Sequence, residues 1–126
     1  MLRLAILTLA LATTAASAEP FALLINEAPA QIALRDDTGA AVMAYWAAYA
    51  DWGKQATDAG ILRGGAAMIP VPVATLGTLD PATLVLGGFF QIDAPTLDVA
   101  RDWAAKLPAA TTGAVEVRAT VQTPGM

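Results

Sequence analysis

Leu97-Asp98-Val99-Ala100-Arg101-Asp102-Trp103-Ala104-Ala105-Lys106-Leu107-Pro108, with Ala114-Val115-Glu116-Val117-Arg118-Ala119-Thr120 just beyond it, changes its hydrophobic period in mid-course. In the first part Leu97, Ala100, Trp103, Ala104 and Leu107 recur at spacings of three and four while Asp98, Arg101, Asp102 and Lys106 take the other faces, which predicts an amphipathic helix. Thr96 stands where its N-cap belongs, Asp98 complements the first turn, and Pro108 ends the run. In the second part apolar and polar residues alternate, so a strand with one face in the core follows.

Upstream, the chain has the same two ingredients in the opposite order. Phe21-Ala22-Leu23-Leu24-Ile25 is a short apolar run closed by Asn26, Glu27 and Pro29, and it reads as a first strand. Residues 30–40 read as a loop in which Asp36 and Asp37 are placed to cap the next helix. That helix runs from about Ala40 to Ala59, with Val42, Trp46, Tyr49, Gly53 and Ala56 on one face, Tyr45 and Trp52 flanking them, and a paired Asp51, Lys54, Asp58 face in solvent. Gly60 is its expected terminator. Between the helices, Ile61–Met68, Val73–Thr78 and Leu84–Ile92 read as three strands, with Asp80-Pro81 as a turn and Gly87-Gly88 as a bulge or a close backbone approach. The order β-α-β-β-β-α-β predicts a ferredoxin-like α+β domain with both helices on one face of an antiparallel sheet. A chain this short has no third layer, so the natural cover for the other face is a second copy packed sheet to sheet.

Composition narrows the chemistry. Of 126 residues 56% are hydrophobic and 14% charged, far from the signature of disorder. There is no Cys and no His, which removes disulfides, thiolate nucleophiles, the usual general base and the commonest metal ligands. The remaining oxygen ligands are scattered, so neither a metal nor a cofactor is expected. Seven basic against eleven acidic residues give a net charge of −4, the wrong sign for a nucleic-acid partner. At the N-terminus, Arg3 precedes an apolar run from Leu4 to Ala12 and a small-residue stretch ending Ala16-Ser17-Ala18. This is the plan of a secretory signal peptide over residues 1–18, and the run is far below the about 20 residues that span a bilayer. The expectation is cleavage after Ala18, one domain over residues 19–126, a periplasmic location and no membrane anchor.

Four stretches together resemble the YciI-like, or YCII-related, proteins and their DGPF-domain subgroup: Leu23-Leu24-Ile25 with Glu27; Ala48–Trp52 running to Ala59–Leu62 and Gly64-Gly65; Leu86–Asp93; and Leu97–Pro108 through Val115-Glu116-Val117-Arg118. The resemblance implies a ferredoxin-like fold that dimerises through its sheet into an α/β barrel. The D-G-P-F signature is absent, with only Asp80-Pro81 near its place, and so is the histidine that the wider family carries early in its first helix.

The resemblance places Glu27 near an acidic group facing the cleft, whereas the residue alone reads as an exposed turn carboxylate. Arg63, in an otherwise apolar strand, needs a carboxylate such as Glu27 or Glu116, or an anionic ligand. Tyr49 either offers its phenol to a ligand or packs in the core with a hydrogen bond at its edge. Gly64-Gly65 and Gly87-Gly88 match no phosphate-binding pattern. The leading expectation is therefore an exported homodimer binding a small aromatic or anionic molecule in the inter-sheet cleft, lined by Glu27, Tyr49 and Arg63. One alternative is a cofactor-free lyase or isomerase of small cyclic compounds, with Glu27 as base and Tyr49 or Arg63 stabilising developing charge. The other is a structural or interaction module.

Overall fold

A computed structural model describes residues 17–78 and 83–125; the leader reading over residues 1–16 and the turn at Asp80-Pro81 fall outside them. Strand β1 (Glu19–Glu27) is followed by a short helix α1 (Pro29–Ile32), a 3-10 turn (Ala33–Asp36) and the long helix α2 (Ala40–Asp58). Strands β2 (Leu62–Ala67) and β3 (Val85–Ala94), helix α3 (Leu97–Ala105), the single turn α4 (Ala109–Thr112) and strand β4 (Gly113–Ala119) complete the order. The sheet runs β2-β3-β1-β4 with every neighbouring pair antiparallel. Two crossovers interleave: α2 carries the chain from β1 over β3 to β2, and α3 from β3 over β1 to β4. This is the ferredoxin-like α+β arrangement.

Burial alternates along β1, with Phe21, Leu23, Ile25 and Glu27 buried and Ala22, Leu24 and Asn26 half-buried. The buried set meets Trp52 and Ala56 of α2, Ala100 and Ala104 of α3, and Leu107 in one core. Each large side chain removed from water here contributes about 1.5–3 kcal/mol. Trp52 joins the helices, because its indole donates to the Trp103 carbonyl at 2.9 Å while its ring packs on Phe90 at 4.6 Å between centroids. Helix α2 ends as expected: Gly60 takes φ +73°, its N–H reaches the Thr57 carbonyl and that of Ile61 the Ala56 carbonyl, closing the last turn. Thr96 caps α3 by accepting from the Val99 N–H at 3.2 Å.

Four expectations are corrected. Residues 73–78 form no strand, so the sheet has four strands rather than five; Pro70 and Pro72 lack the N–H groups that would extend pairing from the edge strand β2. Residues 30–40 are not a plain loop, since they hold α1 and the 3-10 turn, and neither Asp36 nor Asp37 caps α2, whose N-cap is Gly39 without a side-chain cap bond. Strand β3 runs past Asp93 to Ala94. The buried stripe of α2 is Tyr45, Trp52 and Ala56 with Tyr49 half-buried, whereas Trp46 is 40% exposed, so the helix is turned by about one residue from the expected face.

Candidate functional site

Glu27 continues the inward-facing set of β1, and its side chain is 1% exposed. A carboxylate at such a place survives only if hydrogen bonds and a counter-charge replace its water. Tyr45 and Tyr49, one turn apart on α2, supply the first part: the Tyr45 hydroxyl donates to Oε2 at 2.7 Å and the Tyr49 hydroxyl to Oε1. Arg35, at the end of the 3-10 turn, supplies the second, with Nη2 at 3.7 Å from Oε2. Its Nε donates to the Tyr45 hydroxyl at 2.9 Å, Nη1 to the Met68 carbonyl at 2.8 Å and Nη2 to the Gly87 carbonyl at 3.0 Å. The guanidinium also lies 5.1 Å from the Trp46 ring centre.

Backbone irregularity makes room for this cluster. The pairing of β1 with β3 shifts register between Ile25 and Asn26, leaving Gly87 as the extra residue of a bulge. A Cβ at Gly87 would stand 2.9 Å from Arg35 Nη2 and 3.0 Å from Ile32 Cδ1, so any side chain would displace the guanidinium. The glycine pair expected as a bulge is one, and the buried Gly87 carbonyl accepts from both Arg35 and the Met68 N–H.

Burial, followed by the hydrogen bond to the Glu27 carboxylate, pushes the Tyr45 phenol up to about 12, and the same causes push Tyr49 up as well. Both phenols thus stay protonated as donors across the physiological range. Each carboxylate oxygen accepts a hydroxyl, and with the side chain 1% exposed neither oxygen faces solvent. The cluster is a closed hydrogen-bonded unit. The recess beside it, framed by Arg35, Trp46, Tyr49, Gly88 and Phe90, has about 60 Å³, room for a few waters rather than an organic ligand.

Of the three residues singled out in the sequence, the structure brings Glu27 and Tyr49 together, on the helix-covered side of the sheet. Arg63 stands at the far end of β3, where its Nε donates to Asp93 at 2.7 Å and Nη1 to the Gly60 carbonyl at 2.9 Å. Its partner is therefore neither Glu27 nor Glu116; the latter accepts from Arg118 and Asn26 and is held below the usual carboxylate range chiefly by the Arg118 hydrogen bond. Arg35 and Tyr45 are the residues that sequence reasoning missed. The available signals were a lone cation directly after Ile32-Ala33-Leu34 and two tyrosines at helical spacing.

The other sheet face is built differently. Residues directly opposite in register share a face, so Leu24 lies with Phe89 and Glu116, Ala22 with Gln91 and Arg118, and Asn26 with Leu86, which is 44% exposed. No helix among the described residues crosses this side. Its middle is apolar, and the Arg63–Asp93 and Arg118–Glu116 pairs sit on it toward two edges.

A family model described as the YCII-related domain matches residues 20–123. Comparison with curated proteins found no match.

Proposed function

The chain belongs to the YCII-related domain family, and on that footing we propose that it is an exported homodimer that binds a small organic molecule in the cleft between two facing sheets. The observation that carries this reading is the uncovered sheet face: an apolar floor of Ala22, Leu24, Leu86 and Phe89 with an arginine toward either edge strand. An apolar sheet face calls for a cover, and a second copy provides one through a two-fold contact. A flat, partly apolar molecule carrying an anionic group suits such a cleft, its ring on Phe89 and its charge near Arg63 or Arg118. The lyase or isomerase alternative loses its base, because Glu27 lies on the opposite side of the sheet with both oxygens engaged.

Thermal-shift titration of residues 19–126 with aromatic carboxylic acids tests the ligand class. Binding should weaken by about 1.5–3 kcal/mol in Arg63→Ala, the scale of a hydrogen bond to a charged group, and should be unchanged in Asp58→Ala on the solvated helix face. Equal losses in both variants, or no stabilisation by any such acid, would overturn it. Export is tested by mass spectrometry of the protein from a bacterial host, where the chain should begin at Glu19.

A further inference from the structure

The two edges of the sheet are finished differently. At the β2 edge the register shifts between Leu62 and Gly64, Arg63 turns its Nη1 onto the Gly60 and Leu62 carbonyls at 2.9 and 3.2 Å, and Pro70 and Pro72 follow the strand. A bulge, a cation over edge carbonyls and nearby prolines all keep a free edge from pairing. Strand β4 has none of these devices. Gly113–Ala119 holds an unbroken register with β1, contains no proline, and has no further strand beyond it among the described residues.

One bond fixes which groups that edge offers. The Thr120 N–H reaches the Pro20 carbonyl at 3.3 Å, and in an antiparallel ladder the pairs that exchange hydrogen bonds alternate with pairs that do not. Even-numbered residues of β4 therefore bond to β1, while Val115, Val117 and Ala119 hold their N–H and C=O groups toward the free edge. Glu116 and Arg118 lie between them on the open face, with side chains 45% and 64% exposed.

This order of charges is its own complement. Two β4 strands set antiparallel about Val117 bring Val115, Val117 and Ala119 of one opposite Ala119, Val117 and Val115 of the other, for about six main-chain hydrogen bonds. The same register sets Glu116 of each copy against Arg118 of the other. Centring the axis on Glu116 or Arg118 sets like charges together, and centring it on Val115 or Ala119 parts the opposite ones.

We propose that β4 pairs with β4 of a second copy about a two-fold axis at Val117, joining two four-stranded sheets edge to edge. Val115 and Val117, half-buried in the single chain, are covered at the join, and an open hollow between α3 and Val115 leaves the helix side clear for the incoming strand. An unrelated apolar strand leaves Glu116 and Arg118 without this match, so the charges select the copy. The contact uses the edge of the sheet rather than the face of the proposed cleft. It is small and its ion pairs are exposed, so it adds to face pairing at high protein concentration.

The chain has no cysteine of its own, so disulfide trapping reads the register directly. Ala114 and Thr120 fall opposite each other as a pair without mutual hydrogen bonds, the kind whose side chains come closest. Ala114→Cys and Thr120→Cys proteins, each folded by circular dichroism, are mixed at high concentration and oxidised mildly, with Asp58→Cys replacing Thr120→Cys as control. A linked heterodimer about tenfold above the control is expected, since only the paired register brings the two sulfurs within bonding reach. Adding Glu116→Arg to both proteins should lower the yield about fivefold by placing like charges opposite. Glu116→Arg together with Arg118→Glu restores the complement in reverse order and should bring the yield back. If a charge variant does not fold, Ala119→Pro replaces it, removing an N–H that faces away from β1 and lowering the yield in the same way. Phe89→Glu, which attacks face pairing, should leave the cross-link unchanged, so failure of the cleft and failure of the edge are distinguishable. Yields at the control level, indifference to both Glu116→Arg and Ala119→Pro, a charge swap that does not restore the link, or its loss in Phe89→Glu would overturn the proposal.

Discussion

Tyr45 and Tyr49 are the only two tyrosines of the chain, and both donate to Glu27, so phenolate absorbance reports on this cluster alone. Since the folded Tyr45 titrates at about 12 against an ordinary 10.0, its contribution to stability is complete below pH 10 and is lost as pH rises through about 12. Alkaline titration should accordingly show no phenolate near pH 10 and a joint loss of fold and gain of phenolate toward pH 12; ionisation of either tyrosine near 10 with the fold intact would contradict this. Glu27→Gln removes the negative partner of a guanidinium that is only 13% exposed, and should lower stability by about 3 kcal/mol in urea unfolding. Sequence reasoning singled out Glu27 and Tyr49 but could not tell that they meet. That meeting depends on a rotation of α2 by about one residue and on a bulge at Gly87, and hydrophobic periodicity fixes neither. Arg35 was hidden for the same reason, because the two carbonyls that fix its guanidinium lie 33 and 52 residues further along the chain.

Elements whose signals are local were legible: the Gly60 terminator, the Thr96 cap, both long helices and the four strands that pair. Thr96→Ala should cost about 1 kcal/mol, readable as a lower urea midpoint with unchanged slope. The segment read as a further strand, Val73–Thr78, has a strand-like composition but no neighbour, since strand formation needs a partner and the two prolines before it break the path along β2. The Asp36 and Asp37 caps failed differently. The chain used those residues to end a 3-10 turn that aims Arg35 inward, leaving Gly39 to begin α2 at φ +88°.

At the scale of the whole molecule, the four-stranded sheet keeps one face under helices, while no helix among the described residues crosses the other. Phe89→Glu puts a charge in the middle of that open face, and sedimentation at micromolar concentration should show a folded monomer where the parent protein is a dimer. A parent protein that is already monomeric, or a variant that remains dimeric, would remove the inter-sheet cleft from consideration. Helices on one side and apolar strands on the other could be read from periodicity; what the second side holds could not, because a chain's own pattern does not encode the concentration of its copies. One consequence concerns time rather than equilibrium. Arg35 clasps the ends of β2 and β3 to the start of α2, through bonds that exist only once distant segments have arrived and shed their water. Such contacts form late in folding, so Arg35→Met should leave the refolding rate nearly unchanged and raise the unfolding rate by about 100-fold, as expected when about 3 kcal/mol is absent from the transition state. In stopped-flow experiments only one limb of the chevron would then move, and the lifetime of the native protein would shorten in the same proportion.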